Sequence, residues 1–260
     1  MIYVKLCIVK MCILIVLVIL LILLCNKSKN IEGYVNKSSI PKVVYQTYID
    51  KSLIPKKVYT NIKKYAKGYK HIIYNDAECV KFLKENYPPK VLDAFNTLIR
   101  GAHKADLFRY CLLYKYGGVY LDIKTDLIKP IDQIFTKDYL YSVIAKNKKS
   151  IYQGIIATPP NNPIFKVLID HIIENKHLTR DYLLFTREFY NQLNILCKRK
   201  VKAGFNKNKV SDINIYLFQE ICSKNIYECS DGLDRYRLCC HVYDKKNKII
   251  KTRYSDYPWH

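Results

Sequence analysis

The chain opens with an uninterrupted apolar stretch. Residues 11–25 (MCILIVLVILLILLC) contain no charged side chain. As a helix these fifteen residues would be about 22 Å long, and nineteen residues would be about 28 Å long, which is short but adequate for a thinner endomembrane bilayer. The pattern predicts a short head at 1–10, a membrane-spanning signal-anchor at 11–25 and a polar stem at 26–39.

Two alternatives to a membrane anchor are open. A cleaved signal peptide would use Lys5 and Lys10 as its charged start, but Leu23 and Leu24 stand where cleavage favours small residues. A buried core helix is the second alternative, although no other apolar segment at this end would cover it. The anchor implies a single-pass type II protein whose bulk faces the Golgi or ER lumen, or a host endomembrane if the source is viral.

From residue 40 onward, short apolar runs typical of strands alternate with longer segments of helical periodicity. This alternation predicts one α/β domain at 40–260, with a mostly parallel sheet flanked by helices. The predicted strands cover 42–49, 70–75, 119–123, 139–145 and 152–158. The predicted helices cover 57–66, 76–87, 90–98 and 101–116, and a further helix begins at 163.

Capping residues mark several of these boundaries. Asn75 and Glu78 have the spacing of a capping box, in which each side chain bonds the other residue's backbone N–H. Gly117 follows a predicted helix where a left-handed residue commonly ends one. Asn162 and Pro163 are typical of an N-cap and a first helical residue.

The charge balance is strongly basic. The chain has 44 Lys and Arg against 22 Asp and Glu, a formal net charge of +22. This excess favours anionic partners such as nucleic acid, phosphates or an acidic membrane surface. The lysines are spread along the whole chain, however, without zinc-finger spacing, an RNP-like sequence or a basic helix. A solvated lysine-rich surface explains the charge better, so a polyanion binder is the weakest functional hypothesis and no nucleic-acid partner is expected.

The cysteines bear on the compartment. Three of the ten lie in or beside the apolar stretch. An oxidising lumen would permit disulfides among the other seven, but because seven is odd, at least one thiol stays free or pairs between chains. These seven are Cys79, Cys111, Cys197, Cys222, Cys229, Cys239 and Cys240.

Carboxylates flank the predicted strand at 119–123. Asp122 lies at its carboxyl end, where ligands sit in open α/β sheets, and Asp126 follows four residues later. Carboxylate oxygens are ligands for Mg²⁺ or Mn²⁺, which commonly bridge to substrate phosphates. On the preceding helix, Asp106 and Arg109 lie one turn apart and share a face. An exposed ion pair worth under about 1 kcal/mol is an equally good interpretation of that spacing.

At these residues the sequence resembles a known family. ADLFRYCLLYKYGGVYLDIKTD (105–126) is similar to the signature of glycosyltransferase family 32, which includes yeast Golgi initiating α-mannosyltransferases. IPKVVYQTY (40–48) and GIIATPPNNPIF (154–165) are similar to its opening strand and to a later segment. The resemblance implies a Rossmann-like A-type glycosyltransferase fold, a UDP- or GDP-sugar donor, Mn²⁺ or Mg²⁺, and retention of anomeric configuration.

The resemblance also implies roles for individual residues. Asp106 would bind hydroxyls of the donor sugar, and Arg109 the sugar or the phosphates. Asp122 would hold the cation that stabilises the departing nucleoside diphosphate, with Asp126 as a possible second carboxylate ligand. The remaining candidates share an expected contact with substrate: Gln46, Tyr110, Tyr120 and Lys124.

The acidic motif departs from the family pattern. The usual Asp-x-Asp reads Asp122-Ile123-Lys124 here. The ammonium could take over part of the metal's role at the diphosphate, Asp126 could supply the second carboxylate, or catalysis could be lost. The leading hypothesis is a membrane-anchored transferase that moves a hexose or N-acetylhexosamine to a glycan, glycoprotein or glycolipid. An inactive glycan-binding or scaffolding module is the alternative.

Overall fold

The computed structural model describes residues 39–178, 180–223 and 239–252. The predicted head, the signal-anchor at 11–25 and nearly all of the stem lie outside these residues. Within the described ranges, no helix has both the length and the apolar character that crossing a membrane requires.

Strands and helices alternate through the described residues. The strands are β1 (Val43–Thr47), β2 (Lys70–Tyr74), β3 (Gly118–Leu121), β4 (Asp126–Leu127), β5 (Leu140–Ile144), β6 (Ile151–Thr158), β7 (Gly204–Asn206), β8 (Ile215–Ser223), β9 (Cys239–Asp244) and β10 (Asn247–Lys251). The helices are α1 (Lys56–Tyr65), α2 (Asp76–Asn86), α3 (Pro89–Thr97), α4 (Gly101–Tyr116), α5 (Ile131–Ile134), α6 (Pro163–Asn175) and α7 (Leu184–Cys197), with a 3₁₀ turn at Lys51–Leu53. The predicted α/β class is confirmed, and the predicted strands and helices are found with small shifts at their ends.

The sheet is mixed. Its strand order is β2-β1-β3-β6-β5-β8-β9-β10-β4, with β7 also paired to β8. Among the described strands, β1–β2, β1–β3 and β5–β8 pair in parallel, and the remaining pairs are antiparallel. The prediction of a mostly parallel sheet is therefore wrong. Antiparallel neighbours can be joined by a short link, such as 145–150 between β5 and β6, whereas parallel neighbours need a long crossover.

Apolar side chains pack on both faces of the sheet. Successive residues of a strand point to opposite faces, and in β3 Tyr120 joins the cluster that contains Leu107 and Phe108 of α4. Val119 and Leu121 join the cluster on the other face. Because α4 is held against β3 in this way, polar side chains on α4 can meet the residues that follow β3.

The turn from α4 into β3 requires glycine. Gly117 has a φ of +62° and Gly118 a φ of +103°, a region that residues with a Cβ rarely adopt. A Cβ on Gly117 would also lie only 2.5 Å from the backbone nitrogen of Pro160. The predicted helix end at Gly117 is confirmed, and the tight turn leads directly into the strand before Asp122.

The other predicted boundary signals are confirmed as well. The Glu78 N–H donates to Asn75 Oδ1 at 2.9 Å, and the Asn75 N–H donates to Glu78 Oε2 at 2.8 Å. The Asn162 side chain accepts from the N–H of Ile164 at 3.3 Å, and Pro163 is the first residue of α6. Both helices therefore begin where local side chains satisfy their first N–H groups.

One disulfide ties two neighbouring strands. Cys222 of β8 is bonded to Cys240 of β9, its direct partner in the strand register. Cys79, Cys111 and Cys197 are buried free thiols, so the expectation that at least one thiol stays free is confirmed. Structural disulfides of this kind are typical of oxidising compartments.

Candidate active site

Asp122 lies just beyond β3, at the edge of the sheet where β1 also ends. The two strands are parallel neighbours, so their carboxyl ends form the kind of crevice in which α/β sheets bind ligands. The Asp122 N–H donates to the carbonyl of Gly154 at 2.8 Å, and the Thr125 N–H donates to the Asp122 carbonyl at 2.8 Å. The backbone of Asp122 thus closes a turn while its carboxylate faces α4.

A guanidinium lies between two carboxylates at this point. Arg109 Nη2 is 3.4 Å from Asp106 Oδ1, and Arg109 Nη1 is 3.3 Å from Asp122 Oδ1. The side chains of Arg109, Asp106 and Asp122 are 4%, 8% and 21% exposed. The interpretation of Asp106 and Arg109 as an exposed ion pair is therefore wrong. We call these three residues the acid–arginine cluster.

Arg109 is fixed from several sides. Its Nε donates to the Ala105 carbonyl at 3.0 Å, and Nη1 donates to the carbonyl of Gln153. The guanidinium carbon also lies 4.4 Å from the centre of the Tyr120 ring, a cation–π contact. Burial alone would lower the pKa of Arg109, but nearby Tyr120, Asp122 and Asp106 raise it above its usual value. The group therefore keeps its positive charge inside the protein.

Asp106 is the carboxylate most strongly affected by burial. Removal from water raises the pKa of Asp106 to about 7, opposed by the attraction of Arg109 and assisted by the repulsion of Asp122. The side-chain amide of Gln153 satisfies its neighbours best when its nitrogen donates to Asp106 Oδ1 at 3.0 Å. A hydrogen-bond donor placed at Asp106 would favour the ionised form of this carboxyl group.

Gln153 was not among the predicted site residues. Its carbonyl accepts from Arg109, and its side-chain amide contacts both Asp106 and the hydroxyl of Tyr110. The signal in the sequence is weak, a single amide side chain in the mainly apolar strand β6. Its role is recognisable only once β6 is seen to pair with β3 beside the cluster.

Three predicted substrate-binding side chains are buried next to the cluster. Gln46 is completely buried, and its amide donates to the Asp122 carbonyl at 3.3 Å while its oxygen lies 2.7 Å from Nε2 of His71. Tyr110 is also completely buried, and the hydroxyl of Tyr120 is 2.9 Å from Oγ1 of Thr47. These contacts hold the site together from behind, and direct contact of the three side chains with substrate stays a prediction.

Lys124 lies on the open side of Asp122. Its Nζ is 3.9 Å from Asp122 Oδ2 and 5.9 Å from the centre of the Tyr152 ring. The side chain is 32% exposed. A Cβ on Gly154 would lie 2.4 Å from the Tyr152 hydroxyl and 2.7 Å from Asp122 Oδ2, so glycine lets these two side chains approach the β6 backbone.

Asp126 is held by a different part of the fold. It begins β4, which pairs with β10. Asn61 of α1 donates to Asp126 Oδ1 at 2.5 Å and to the carbonyl of Leu127 at 2.9 Å, and it accepts from the Leu127 N–H at 3.0 Å. These bonds fasten β4 to α1, and metal ligation by Asp122 and Asp126 stays a prediction.

The described residues contain one group of three close side chains of metal-binding type: Glu220, Cys222 and Cys240. Two of these are the cysteines of the disulfide, so their sulfurs are bonded to each other. A disulfide sulfur is not the thiolate that binds metals. This group is therefore not a metal site in the oxidised protein.

Tyr182 is a second residue near the cluster that the sequence did not reveal. Its side chain is 55% exposed, its ring lies 5.9 Å from that of His103, and the Arg100 guanidinium lies 5.8 Å from its centre. Partial burial raises the pKa of Tyr182, as do the charges of Asp106 and Asp122. Tyr182 thus presents a partly exposed aromatic ring beside His103, which lies one turn before Asp106 on α4. A tyrosine in a polar connecting segment carries no sequence signal of that position.

A family model described as a glycosyltransferase sugar-binding region containing a DXD motif matches residues 55–141. The match includes the whole acid–arginine cluster and Lys124. The matched segment is about a third of the chain. The predicted resemblance to glycosyltransferase family 32 is therefore confirmed.

Several relatives carry names of the same kind. An initiation-specific alpha-1,6-mannosyltransferase of Candida albicans is 34% identical over 93 residues, which cover 35% of this chain and 24% of the relative. An uncharacterised glycosyltransferase of Acanthamoeba polyphaga mimivirus, L373, is 29% identical over 46% of this chain and 47% of its own. An inositol phosphoceramide mannosyltransferase of Schizosaccharomyces pombe is 25% identical over 52% of this chain and 39% of its own. The aligned segments thus span less than half of each relative.

Among solved structures, the PaToxG glycosyltransferase aligns with 17% identity and a TM-score of 0.46, over 61% of this chain and 72% of its own. Both the identity and the TM-score of this likeness are low. The assignment to the α/β class rests on the strands and helices of the chain itself.

Proposed function

We propose that this protein is a glycosyltransferase that moves a hexose or N-acetylhexosamine from a UDP- or GDP-sugar to a glycan, glycoprotein or glycolipid. The observation that carries the proposal is the buried acid–arginine cluster at the carboxyl ends of β1 and β3, inside the segment that matches the family. The A-type glycosyltransferase fold and retention of configuration are proposed with it, from the same family resemblance.

In this proposal the two carboxylates and the guanidinium of the cluster have different roles. Asp106 and Asp122 accept hydrogen bonds from sugar hydroxyls, and their rigid attachment to Arg109 orients the ring before reaction. Arg109 contributes a fixed positive charge that does not need to reorganise as the leaving diphosphate gains negative charge. An acceptor hydroxyl attacks the anomeric carbon on the side from which the diphosphate leaves, and a phosphate oxygen takes the hydroxyl proton.

A divalent cation fits the described residues poorly. The two carboxylate oxygens of Asp122 already face Arg109 and Lys124, at 3.3 and 3.9 Å. Asp126, the predicted second ligand, accepts a hydrogen bond from Asn61. Hard cations require several oxygen ligands, and these two carboxylates offer few free ones.

We also propose the type II topology, with the apolar stretch at 11–25 as the anchor and the described domain in the Golgi or ER lumen. The Cys222–Cys240 disulfide supports this placement because such bonds persist in oxidising compartments. Protease protection of the domain in sealed microsomes is the expected result. Digestion of the domain without detergent would contradict the topology.

Because these relatives are named as mannosyltransferases, mannose is the first donor sugar to test. The test is release of nucleoside diphosphate from a panel of UDP- and GDP-sugars by the full-length protein in detergent, with Asp122→Asn as the control. We expect one donor to be consumed by the wild type and not by the variant. Because Lys124 replaces a carboxylate of the usual motif, an inactive glycan-binding module is the second candidate. Folded wild-type protein that binds glycans but turns over no donor would favour it.

A further inference from the structure

We propose that the ammonium group of Lys124 is the counter-charge for the donor's diphosphate, and that the site works without a divalent cation. The inference rests on the proposed function and concerns the same site. It assigns Lys124 a place next to the leaving group rather than next to the sugar.

Charge counting gives the first support. An Asp-x-Asp pair with one bound divalent cation carries no net charge from these groups. Asp122 with Lys124 carries none either, with no metal present. Replacing the second carboxylate by an ammonium therefore preserves the electrostatic balance that the leaving diphosphate meets, while removing a ligand that a metal would need.

The position of Lys124 also supports a contact with the diphosphate. Its Nζ lies 3.9 Å from Asp122 Oδ2, too far for a direct hydrogen bond but close enough to be held by the charge. The Tyr152 ring, 5.9 Å away, borders the other side. With 32% of its side chain exposed, the ammonium has donors left to face an anion in the crevice.

The state of the neighbouring carboxylates supports a site without a divalent cation. Asp106 is almost entirely buried against Arg109, and Asp126 is bonded to Asn61 of α1. Asp122 is the remaining carboxylate of the three, and it faces two positive groups. A divalent ion placed beside Asp122 would also be repelled by Lys124. A phosphate group would be attracted by the same ammonium.

The decisive variant rebuilds the family motif. Lys124→Asp gives Asp-x-Asp, so it should lose binding and turnover in EDTA and regain them with Mn²⁺. Lys124→Arg keeps the charge and should stay metal-independent, whereas Lys124→Ala should be impaired in both conditions. Lys129→Asp makes the same charge change five residues further along and serves as the matched control.

Two readouts on the full-length protein in detergent are needed. Calorimetry measures the Kd of UDP and GDP, and donor turnover measures the rate. We expect EDTA to change the wild-type values by less than about twofold, whereas loss of a leaving-group charge in Lys124→Ala costs about 10²–10³-fold in rate. A regain of at least about tenfold with Mn²⁺ is expected for Lys124→Asp only.

Different outcomes separate this inference from the proposed function. Wild-type turnover that collapses in EDTA and returns with Mn²⁺ would overturn the role of Lys124 and leave the glycosyltransferase proposal standing. Equal losses in Lys124→Asp and Lys129→Asp would overturn it too. Wild-type protein that binds no nucleoside diphosphate, with or without metal, would overturn both.

Discussion

Asp122 and Asp126 lie four positions apart in the sequence, but different parts of the fold hold them. Asp122 follows β3 and faces two positively charged side chains, Arg109 and Lys124. Asp126 begins β4 and accepts a hydrogen bond from a neutral amide, Asn61, which also fastens the backbone of β4. The first carboxylate faces a crevice and the second fastens an edge of the sheet. The difference shows that proximity in a motif does not imply a shared role.

The largest effect on stability is expected from loss of the buried guanidinium that Asp122 faces. Arg109→Ala leaves Asp106 and Asp122 without their partner, which should lower the free energy of unfolding by about 3–5 kcal/mol. The matched control is Arg187→Ala, whose partner Asp181 is 43% exposed, and it should cost at most about 1 kcal/mol. Urea denaturation of both variants measures the difference, and equal costs would contradict the importance of burial.

The second effect compares the two carboxylates directly. Asp122→Asn should lower kcat/KM for the preferred donor by about 10²–10³-fold because a charged contact to substrate is lost. Asp126→Asn should lower it by less than about tenfold, since that side chain bonds Asn61 instead. Steady-state kinetics of the two variants measures the ratio. Equal losses would support the prediction that Asp126 is a metal ligand and would contradict different roles for the two carboxylates.

A third effect belongs to the Asp126 side alone. Asn61→Ala removes the amide that bonds both Asp126 and the backbone of Leu127. The buried groups left without a partner should lower the free energy of unfolding by about 1–3 kcal/mol. Donor Kd, measured on the same protein by calorimetry, should stay close to the wild-type value. A large loss of donor affinity at unchanged stability would place β4 in the site.

The smallest effect is a pH dependence. Burial raises the pKa of Asp106 to about 7, so between its unfolded pKa and pH 7 the folded protein holds a proton that the unfolded chain has released. Its contribution to stability is therefore fully present below the unfolded pKa and is lost as pH rises through about 7. From pH 6 to pH 7.5 the loss should be about 1 kcal/mol.

Asp106→Asn cannot titrate, so its free energy of unfolding should fall less over the same interval. Chemical denaturation at the two pH values gives the difference between the slopes of variant and wild type. Parallel slopes would mean that Asp106 is already ionised in the folded protein at pH 6.

Much of the fold could be predicted from the sequence because its boundaries are set locally. Gly117, the Asn75–Glu78 capping box and Pro163 act on neighbouring residues, and helices and strands begin or end beside them. The direction of strand pairing could not be predicted in the same way. It depends on which segments meet after the chain has turned, and the very short strands β4 and β7 contain too few residues to show a pattern.

The candidate site could likewise be predicted only in part from the sequence. Asp106 and Arg109 share a helix face, and the glycine turn brings the end of β3 beside them, so their meeting with Asp122 follows from local geometry. Gln153 reaches the cluster through the pairing of β6 with β3, and the segment before α7 brings Tyr182 beside His103 of α4. Those are long-range arrangements, and no spacing in the sequence indicates them.

The most direct test of the account compares the calorimetric Kd of the preferred nucleotide sugar with that of its free nucleoside diphosphate. If Asp106 and Asp122 hold the sugar, the wild type should bind the nucleotide sugar at least about tenfold more tightly, or about 1.4 kcal/mol. Asp122→Asn removes one of the two carboxylates, so this preference should become clearly smaller in the variant. Equal binding already in the wild type, or a preference that is undiminished in the variant, would contradict the assignment of the acid–arginine cluster to sugar recognition.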